Sequence, residues 1–113
     1  MVLLIPVMRG KTVAAVASVD PQDGWVGQFR WTLQSSGYAI RATRRGGVCV
    51  TRYMHREVCG LRAGDRLEAD HINHNRLDNR RTNLRVVSHA ENMRNRRPVN
   101  QALTQGFTTK EGV

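Results

Sequence analysis

The chain has 113 residues, 40% of them hydrophobic, which is enough for one small core and too few for two independently folded domains. It contains no run of about 18 apolar residues, so we predict no membrane-spanning segment. Eighteen basic residues against nine acidic ones give a formal charge of +9 and a pI near 11.2. This excess predicts a polyanionic partner.

The basic residues are almost all arginines, because only Lys11 and Lys110 are lysines. A guanidinium group presents a planar fork of donors that fits a phosphate group bidentately. Nucleic acid is therefore the favoured partner. Charge alone leaves two alternatives open, a solubility device and a ribosome-associated structural protein.

Cys49 and Cys59 are the only cysteines, too few for a four-cysteine zinc site. The apolar start, residues 1–7, is short and contains a proline. It has neither a preceding basic region nor a small-residue cleavage site, so a secretory signal is not expected. We therefore expect reduced thiols and a cytoplasmic protein.

The N-terminal third predicts two strands and a short helix. Residues 1–19 are rich in aliphatic side chains and are interrupted at 9–11, which indicates two strands joined by a turn. Asp20 followed by Pro21 is a pattern typical of a helix start. We expect a short helix from Pro21 to about residue 27, with Trp25 turned inward.

Three further strands and a second short helix are predicted next. Phe29, Trp31 and Leu33 alternate with polar residues, which is the period-two spacing of a half-buried strand. Turn residues at 35–37 and 44–47 predict an antiparallel meander. Its strands would lie near 29–34, 38–43 and 48–53, followed by a helix over 54–60 and a polar connection over 61–66.

The following segment reads as strand, long loop, strand and helix. Strands are predicted at 67–72 and 83–87, and the loop between them has the Asn, Asp and Arg content of a segment that makes its own hydrogen bonds. Ser88 and Glu91 form a capping box that begins the helix, and Pro98 ends it.

These elements predict an α+β fold. An N-terminal antiparallel β meander with short helices, 1–66, precedes the strand-loop-strand-helix segment, 67–98. A C-terminal tail, 99–113, follows, and we expect one compact domain overall.

The segment from residue 53 to 97 resembles a known family. The residues that carry the resemblance are Asp70-His71-Ile72-Asn73, Leu77-Asp78-Asn79-Arg80-Arg81, Asn83-Leu84-Arg85 and Glu91-Asn92, with Tyr53-Met54-His55-Arg56 upstream. In this order they resemble the HNH endonuclease family, within it the branch typical of phage and intron-encoded homing endonucleases. The resemblance implies a ββα-metal fold that clamps one divalent ion, in the cytoplasm of a bacterial or phage-infected cell.

The resemblance also implies roles for four residues. Asp70 and Asn92 would be metal ligands, His71 the general base, and Asn83 a brace that helps to orient His71. Carboxylate and amide oxygens suit Mg²⁺ or Mn²⁺, and imidazole ionises near neutral pH. Because strand side chains alternate, His71 should point away from Asp70. Many family members carry histidine where this chain has Asn92.

Three other histidines keep two interpretations each. His89 lies three residues before Asn92 on the same helical face, and it is expected to be either a metal ligand or a solvent-facing residue. His74 stands where this branch has glycine, and it is expected either to contact DNA or simply to be exposed. His55, in the upstream helix, has a structural role or contacts DNA.

The arginines of the motif are expected to hold phosphate groups. The resemblance favours this role over a solvated basic face for Arg76, Arg80, Arg81, Arg85, Arg94, Arg96 and Arg97. Some of them can instead pair with Asp78 or Glu91. Arginines of the meander can extend the footprint, and strand arginines can read a groove or only grip phosphate.

The function implied is metal-dependent hydrolysis of double-stranded DNA to 5′-phosphate and 3′-hydroxyl ends, by nicking or by double-strand cleavage, as a monomer or homodimer. A non-catalytic DNA-binding module on the same fold is the main alternative, and a ribosome-associated structural protein is another. A pure binder has no need of Asp70, His71 and Asn92 together.

Overall fold

The computed structural model describes residues 1–62 and 64–96, with side chains as far as Met93. The predicted tail and Arg97 lie outside the described residues. The elements are β1 (Leu3–Arg9), β2 (Thr12–Val19), β3 (Trp31–Leu33), β4 (Ala39–Arg45), β5 (Val48–Tyr53), α1 (Met54–Val58), β6 (Leu67–His71), β7 (Leu84–Ser88) and α2 (His89–Arg96), with 3₁₀ helices at Pro21–Gln28 and Arg81–Asn83. The predicted α+β class is confirmed. No helix in the described part of the chain is long and apolar enough to cross a bilayer.

The first five strands form one sheet in the order β2-β1-β3-β4-β5. The β1–β2 hairpin and the antiparallel β3–β4–β5 meander were both predicted. The sequence pattern did not predict that β1 and β3 pair in parallel, with Val7 opposite Trp31. A parallel pair requires a crossover connection, and β2 with the 3₁₀ helix Pro21–Gln28 provides it.

The core lies on one face of this sheet. Period-two alternation turns Ile5 and Val7 of β1 inward and leaves Leu4 exposed. Trp31 is fully buried, and its indole Nε1 donates a hydrogen bond of 2.8 Å to the carbonyl oxygen of Val26. The core also contains Ala17, Val19, Ala39, Met54 and Val58, so the 3₁₀ helix and α1 cover the same face.

The helix after β2 differs from the prediction in two ways. Trp25 is 44% exposed rather than turned inward, while Asp23 and Val26 are fully buried. The segment kinks at Asp23, whose φ of −102° and ψ of 15° are not helical, so the side chains after the kink do not keep the face that a regular helix from Pro21 would give them. Asp20 precedes the helix but makes no side-chain cap. Its Oδ2 accepts a hydrogen bond of 2.9 Å from the backbone nitrogen of Arg81.

The second sheet consists of β6 and β7, antiparallel, with Asp70 opposite Arg85. Helix α2 follows β7 directly and packs on both strands. The predicted capping box is confirmed, since the Ser88 nitrogen donates to Glu91 Oε1 at 3.0 Å and the Glu91 nitrogen to Ser88 Oγ at 3.2 Å. These three elements are the predicted strand-loop-strand-helix unit.

The β6–β7 loop is attached to β2 by backbone hydrogen bonds and to the first 3₁₀ helix by an ion pair. Backbone hydrogen bonds of 2.8 Å join Ser18 of β2 to Leu77 and Asn79. Beside them, Arg81 donates from Nε and Nη2 to the two carboxylate oxygens of Asp23, at 2.9 and 2.8 Å. Asp23 is fully buried, and a buried carboxylate is stable in the fold only when it is paired. The loop is therefore anchored to the N-terminal region by an ion pair as well as by backbone hydrogen bonds.

Arg81→Ala should lower the free energy of unfolding by about 2 kcal/mol or more, because the mutation leaves the Asp23 carboxylate buried without its partner. Urea denaturation of both proteins measures the difference. Arg45→Ala is the matched control, since Arg45 is an exposed arginine of β4 and its loss should change stability by no more than about 0.5 kcal/mol. Equal losses in the two variants would contradict an anchoring role for the pair.

Candidate active site

Strand β6 sends Asp70 and His71 to opposite sides, as predicted. Asp70 faces the cross-strand residue Arg85, whose Nε and Nη2 donate at 3.1 and 2.8 Å to the same carboxylate oxygen, Oδ2. Both hydrogen bonds found for this carboxylate in the described chain end on Oδ2. Oδ1 therefore remains for another cationic partner.

Asn92 of α2 lies against the face of β6 that carries Asp70. Its Nδ2 donates to Oε1 of Glu68 at 2.5 Å, and Glu68 shares that face because it is two residues from Asp70. Asn92 is 5% exposed, and its Oδ1 is buried without a hydrogen-bond partner among the described residues. A buried polar atom without a partner is costly, and this one belongs to a residue that lines an open cleft between α1, β6 and α2.

The donor set fits a hard divalent ion. Within residues 1–62 and 64–96, no three His, Cys, Asp or Glu side chains cluster in a way suited to a metal, so an ion here would take one carboxylate and one amide from the protein. Mg²⁺ keeps several waters and needs few protein oxygens. Asp70 Oδ1 and Asn92 Oδ1 are oxygens of that kind. The buried amide oxygen of Asn92, which lacks a hydrogen-bond partner among the described residues, is the observation that supports the fit.

His71 is buried on the other side of β6, with 4% of its surface exposed. Its Nε2 lies 2.7 Å from Oδ1 of Asn79. An amide oxygen only accepts hydrogen bonds, so Nε2 carries the proton and Nδ1 is the nitrogen with a free lone pair. Burial lowers the pKa of His71 below its ordinary value, against the opposing effect of the Asn79 hydrogen bond. The imidazole is therefore neutral near neutral pH.

Two rings pack against His71. The ring of His55 is centred 4.8 Å from that of His71, and the ring of Tyr38 is centred 5.9 Å from it. Tyr38 also stacks on His55 at 4.9 Å. Burial, reinforced by the neighbouring His71 and Arg56, lowers the pKa of His55 to about 3. His55 is 7% exposed, and its ring packs against Tyr38 and His71, the contacts that the structural interpretation of this residue requires.

The loop between β6 and β7 is braced by asparagines and one aspartate. Asn83 accepts a hydrogen bond of 3.0 Å from the Asn73 nitrogen and donates one of 2.8 Å to the Asp78 carbonyl oxygen. Asn79 makes the direct contact with the side chain of His71, and the prediction that Asn83 helps to orient His71 by bracing the loop stays a prediction. Asp78 accepts two hydrogen bonds of 2.7 Å from Arg80 and one of 3.0 Å from Asn73 Nδ2.

The remaining two histidines are exposed. His74 has a positive φ of 65°, a conformation that costs little only for glycine, which agrees with the expectation of glycine at this position. The Nδ1 of His89 lies 2.6 Å from Oε2 of Glu68, and its side chain is 71% exposed. His89 is thus solvent-facing and contacts a neighbour of the candidate ligands.

The arginines expected to contact DNA have intramolecular partners wherever their side chains are described. Arg80 pairs with Asp78, Arg81 with Asp23 and Arg85 with Asp70. Arg76 donates to the Ser36 carbonyl oxygen and lies over the Tyr38 ring at 4.9 Å. The side chains of Arg94 and Arg96 are not described. The first three remain 40–52% exposed, so each can still reach a phosphate group.

Sequence reasoning missed Glu68, Asn79 and Tyr38. Asn79 stands within the quoted motif, but one amide in a loop rich in Asn and Asp carries no signal that distinguishes it. Glu68 could have been found from the period of two that places it on the face of Asp70. Nothing local in the sequence connects Tyr38 to His71, 33 positions later.

Known proteins resemble this chain over the segment that carries the candidate site. A family model described as HNH endonuclease matches residues 52–94. An uncharacterized HNH endonuclease of Acanthamoeba polyphaga mimivirus is 30% identical over 90 residues, which are 78% of this chain and 46% of that protein. Residues 52–94 of this chain thus match the HNH endonuclease family, and the mimivirus relative carries the same family name.

One solved structure is also similar. It is titled "DNA binding and cleavage by the HNH homing endonuclease I-HmuI" and is 29% identical, with a TM-score of 0.47. The alignment covers 71% of this chain and 45% of that one. The chain thus spans about half the length of the relatives that it matches.

Asp78→Asn should destabilise the fold in a manner that depends on pH. The hydrogen bonds from Arg80 lower the pKa of Asp78 to about 2, so its ionised form stabilises the fold above the unfolded pKa, and this contribution is lost as pH falls through the folded pKa. Chemical denaturation between about pH 6 and pH 2 should show the difference between wild type and variant shrinking as the pH falls. A constant difference would contradict this origin.

His74→Gly should raise the free energy of unfolding by about 0.5–1 kcal/mol, because glycine removes the cost of a positive φ. His74→Val should lower it, since a β-branched residue is strained in that conformation. Thermal unfolding of the three proteins measures both effects. A loss of stability in the glycine variant would mean that the imidazole makes a contact worth more than the strain.

Proposed function

We propose that the chain is a metal-dependent endonuclease that hydrolyses phosphodiester bonds in double-stranded DNA. The observation that supports this most directly is the unpartnered, buried Oδ1 of Asn92, held beside the strand face of Asp70. A domain that only bound DNA would gain nothing from leaving this amide oxygen without a partner.

In this proposal His71 is the general base. Asn79 keeps the proton on Nε2 and leaves Nδ1 to accept a proton from water. The lowered pKa keeps the ring neutral, which a base requires before it can act. The packed rings of His55 and Tyr38 fix its plane, so the imidazole is oriented before substrate arrives.

Asp70 and Asn92 would hold the divalent ion, Mg²⁺ or Mn²⁺. When bound, such an ion supplies positive charge at the scissile phosphate and stabilises the leaving 3′ oxygen. Asp70 provides the anionic ligand and Asn92 a neutral one. The proposed products carry 5′-phosphate and 3′-hydroxyl ends, as in the homing-endonuclease branch that the motif resembles.

DNA is the proposed substrate because the chain carries a charge of +9 and because arginines surround the proposed site. Arg80, Arg81 and Arg85 belong to the loop and to β7, and each is partly exposed beside its acidic partner. Arg94, Arg96 and Arg97 follow along α2 and beyond it in the sequence. Together they would neutralise phosphate groups of the DNA backbone.

Purified protein should convert supercoiled plasmid into nicked or linear DNA with Mg²⁺ or Mn²⁺ and not with EDTA. His71→Ala should reduce the rate by about 100-fold or more, the usual contribution of a general base. Asp70→Ala and Asn92→Ala should also abolish cleavage at low metal concentration. Gln22→Ala, at an exposed position of the first 3₁₀ helix, is the control and should cleave like wild type.

DNA ligase tests the predicted ends, because it reseals a nick only between a 5′-phosphate and a 3′-hydroxyl group. Direct resealing of the nicked product is the expected result. Plasmid that stays supercoiled with every divalent ion would contradict the proposed activity, and full activity in His71→Ala would contradict the proposed base.

A non-cleaving DNA-binding module is the second candidate, and one contact favours it. Arg85 already occupies Oδ2 of Asp70, as expected of a carboxylate whose role is structural. This candidate predicts that plasmid is shifted in a gel but never cut, and that Asp70→Ala weakens the fold without changing the DNA topology.

A further inference from the structure

Glu68 connects the helix of the proposed site to its strand. It is part-buried on β6, and its two carboxylate oxygens contact different residues of α2. Oε1 lies 2.5 Å from Nδ2 of Asn92, and Oε2 lies 2.6 Å from Nδ1 of His89. No function has been assigned to Glu68 by the motif, and the proposed chemistry of Asp70 and His71 does not require it directly.

The contact with Asn92 fixes which end of the amide faces the site. The oxygen and nitrogen of a side-chain amide have nearly the same size, so packing alone selects neither orientation. An ionised carboxylate only accepts hydrogen bonds. The amide must therefore present Nδ2 to Glu68, because the opposite orientation would place two oxygens 2.5 Å apart. The consequence is that Oδ1 points away from Glu68, and there it is buried without a partner.

We propose that Glu68 is a positioning residue that locks the amide of Asn92 with its oxygen toward the divalent ion. This inference rests on the proposed function, since it gives Asn92 Oδ1 an ion to bind. His89 stabilises the arrangement from outside, because its Nδ1 donates to the second oxygen of Glu68 and limits rotation of the carboxylate. Substitution of a residue that orients a metal ligand in this way typically weakens metal binding by about 10- to 100-fold.

Substitutions at Glu68 separate the hydrogen bond from the charge. Glu68→Ala removes both the acceptor and the negative charge, so the amide of Asn92 can turn over. Glu68→Gln removes the charge and can either accept from Nδ2 or donate to Oδ1 of Asn92, so it permits the native orientation without enforcing it. Asp65→Asn removes one charge from an exposed turn, outside the proposed site, and controls for the loss of charge alone.

The primary measurement is the binding of Mn²⁺ to the protein in the absence of DNA. The electron paramagnetic resonance signal of the free ion reports how much Mn²⁺ remains unbound. Glu68→Ala should weaken Mn²⁺ binding by about 10-fold or more. Glu68→Gln should bind Mn²⁺ more weakly than wild type and more tightly than Glu68→Ala, because its amide permits both orientations of Asn92. Asp65→Asn should match wild type. The concentration of Mn²⁺ at half-maximal plasmid cleavage should rise in the same order.

Two outcomes in the variants would overturn the inference. In the first, Glu68→Ala binds Mn²⁺ as tightly as wild type. In the second, Glu68→Gln weakens binding as much as Glu68→Ala, which would mean that Glu68 acts through its charge or ligates the ion itself. If wild type binds no Mn²⁺, the metal site fails together with this inference, and that failure is visible before any variant is made.

A measurement on the wild-type protein covers the case in which Glu68→Ala does not fold. Nuclear magnetic resonance should show one side-chain proton of Asn92 Nδ2 shifted downfield and slow to exchange, because it is bonded to a carboxylate. Both features should persist when Mg²⁺ is added, while the Asn92 resonances shift. Loss of the protected proton on adding Mg²⁺ would contradict the proposed orientation.

Discussion

The buried carboxylate of Asp23 is the constraint on which the candidate site depends. It is fully buried in the first 3₁₀ helix, and Arg81 of the loop is the residue that neutralises it. This pair, with the backbone bonds of Ser18 to the loop, fixes the loop against the N-terminal sheet. The loop in turn carries Asn79, which orients His71. A contact far from the reacting atoms thus determines where the proposed base lies.

Two side-chain amides in this site, those of Asn83 and Asn92, are oriented by neighbours that can only donate or only accept. Asn83 bonds to backbone on both sides, through an oxygen that faces an N–H group and a nitrogen that faces a carbonyl oxygen. Asn92 is oriented by a carboxylate, and Asn79 turns its oxygen to His71 while its nitrogen stays buried without a partner. An amide is useful in such a position because its two ends are chemically opposite but similar in shape.

The sequence predicted the local features and missed the distant contacts. The strand-loop-strand-helix order and the Ser88–Glu91 cap were predicted because they depend on residues close in the chain. The parallel pairing of β1 with β3 and the exposure of Trp25 depend on how separate elements pack, which no local pattern records. The motif predicted roles for Asp70, His71 and Asn92, and these stay predictions. It gave no signal for Asp23, which lies 58 positions before its partner.

The arginines illustrate why net charge alone does not locate a DNA-binding surface. Three of those predicted to hold phosphate, Arg80, Arg81 and Arg85, each donate from the Nε–Nη2 edge to a carboxylate of their own chain. A guanidinium group has five N–H donors, so this arrangement fixes its plane and leaves the Nη1 side turned away from the acid. An arginine held in this way loses little side-chain entropy when it meets a phosphate group. Internal pairing would therefore preorganise these side chains for the proposed phosphate contacts.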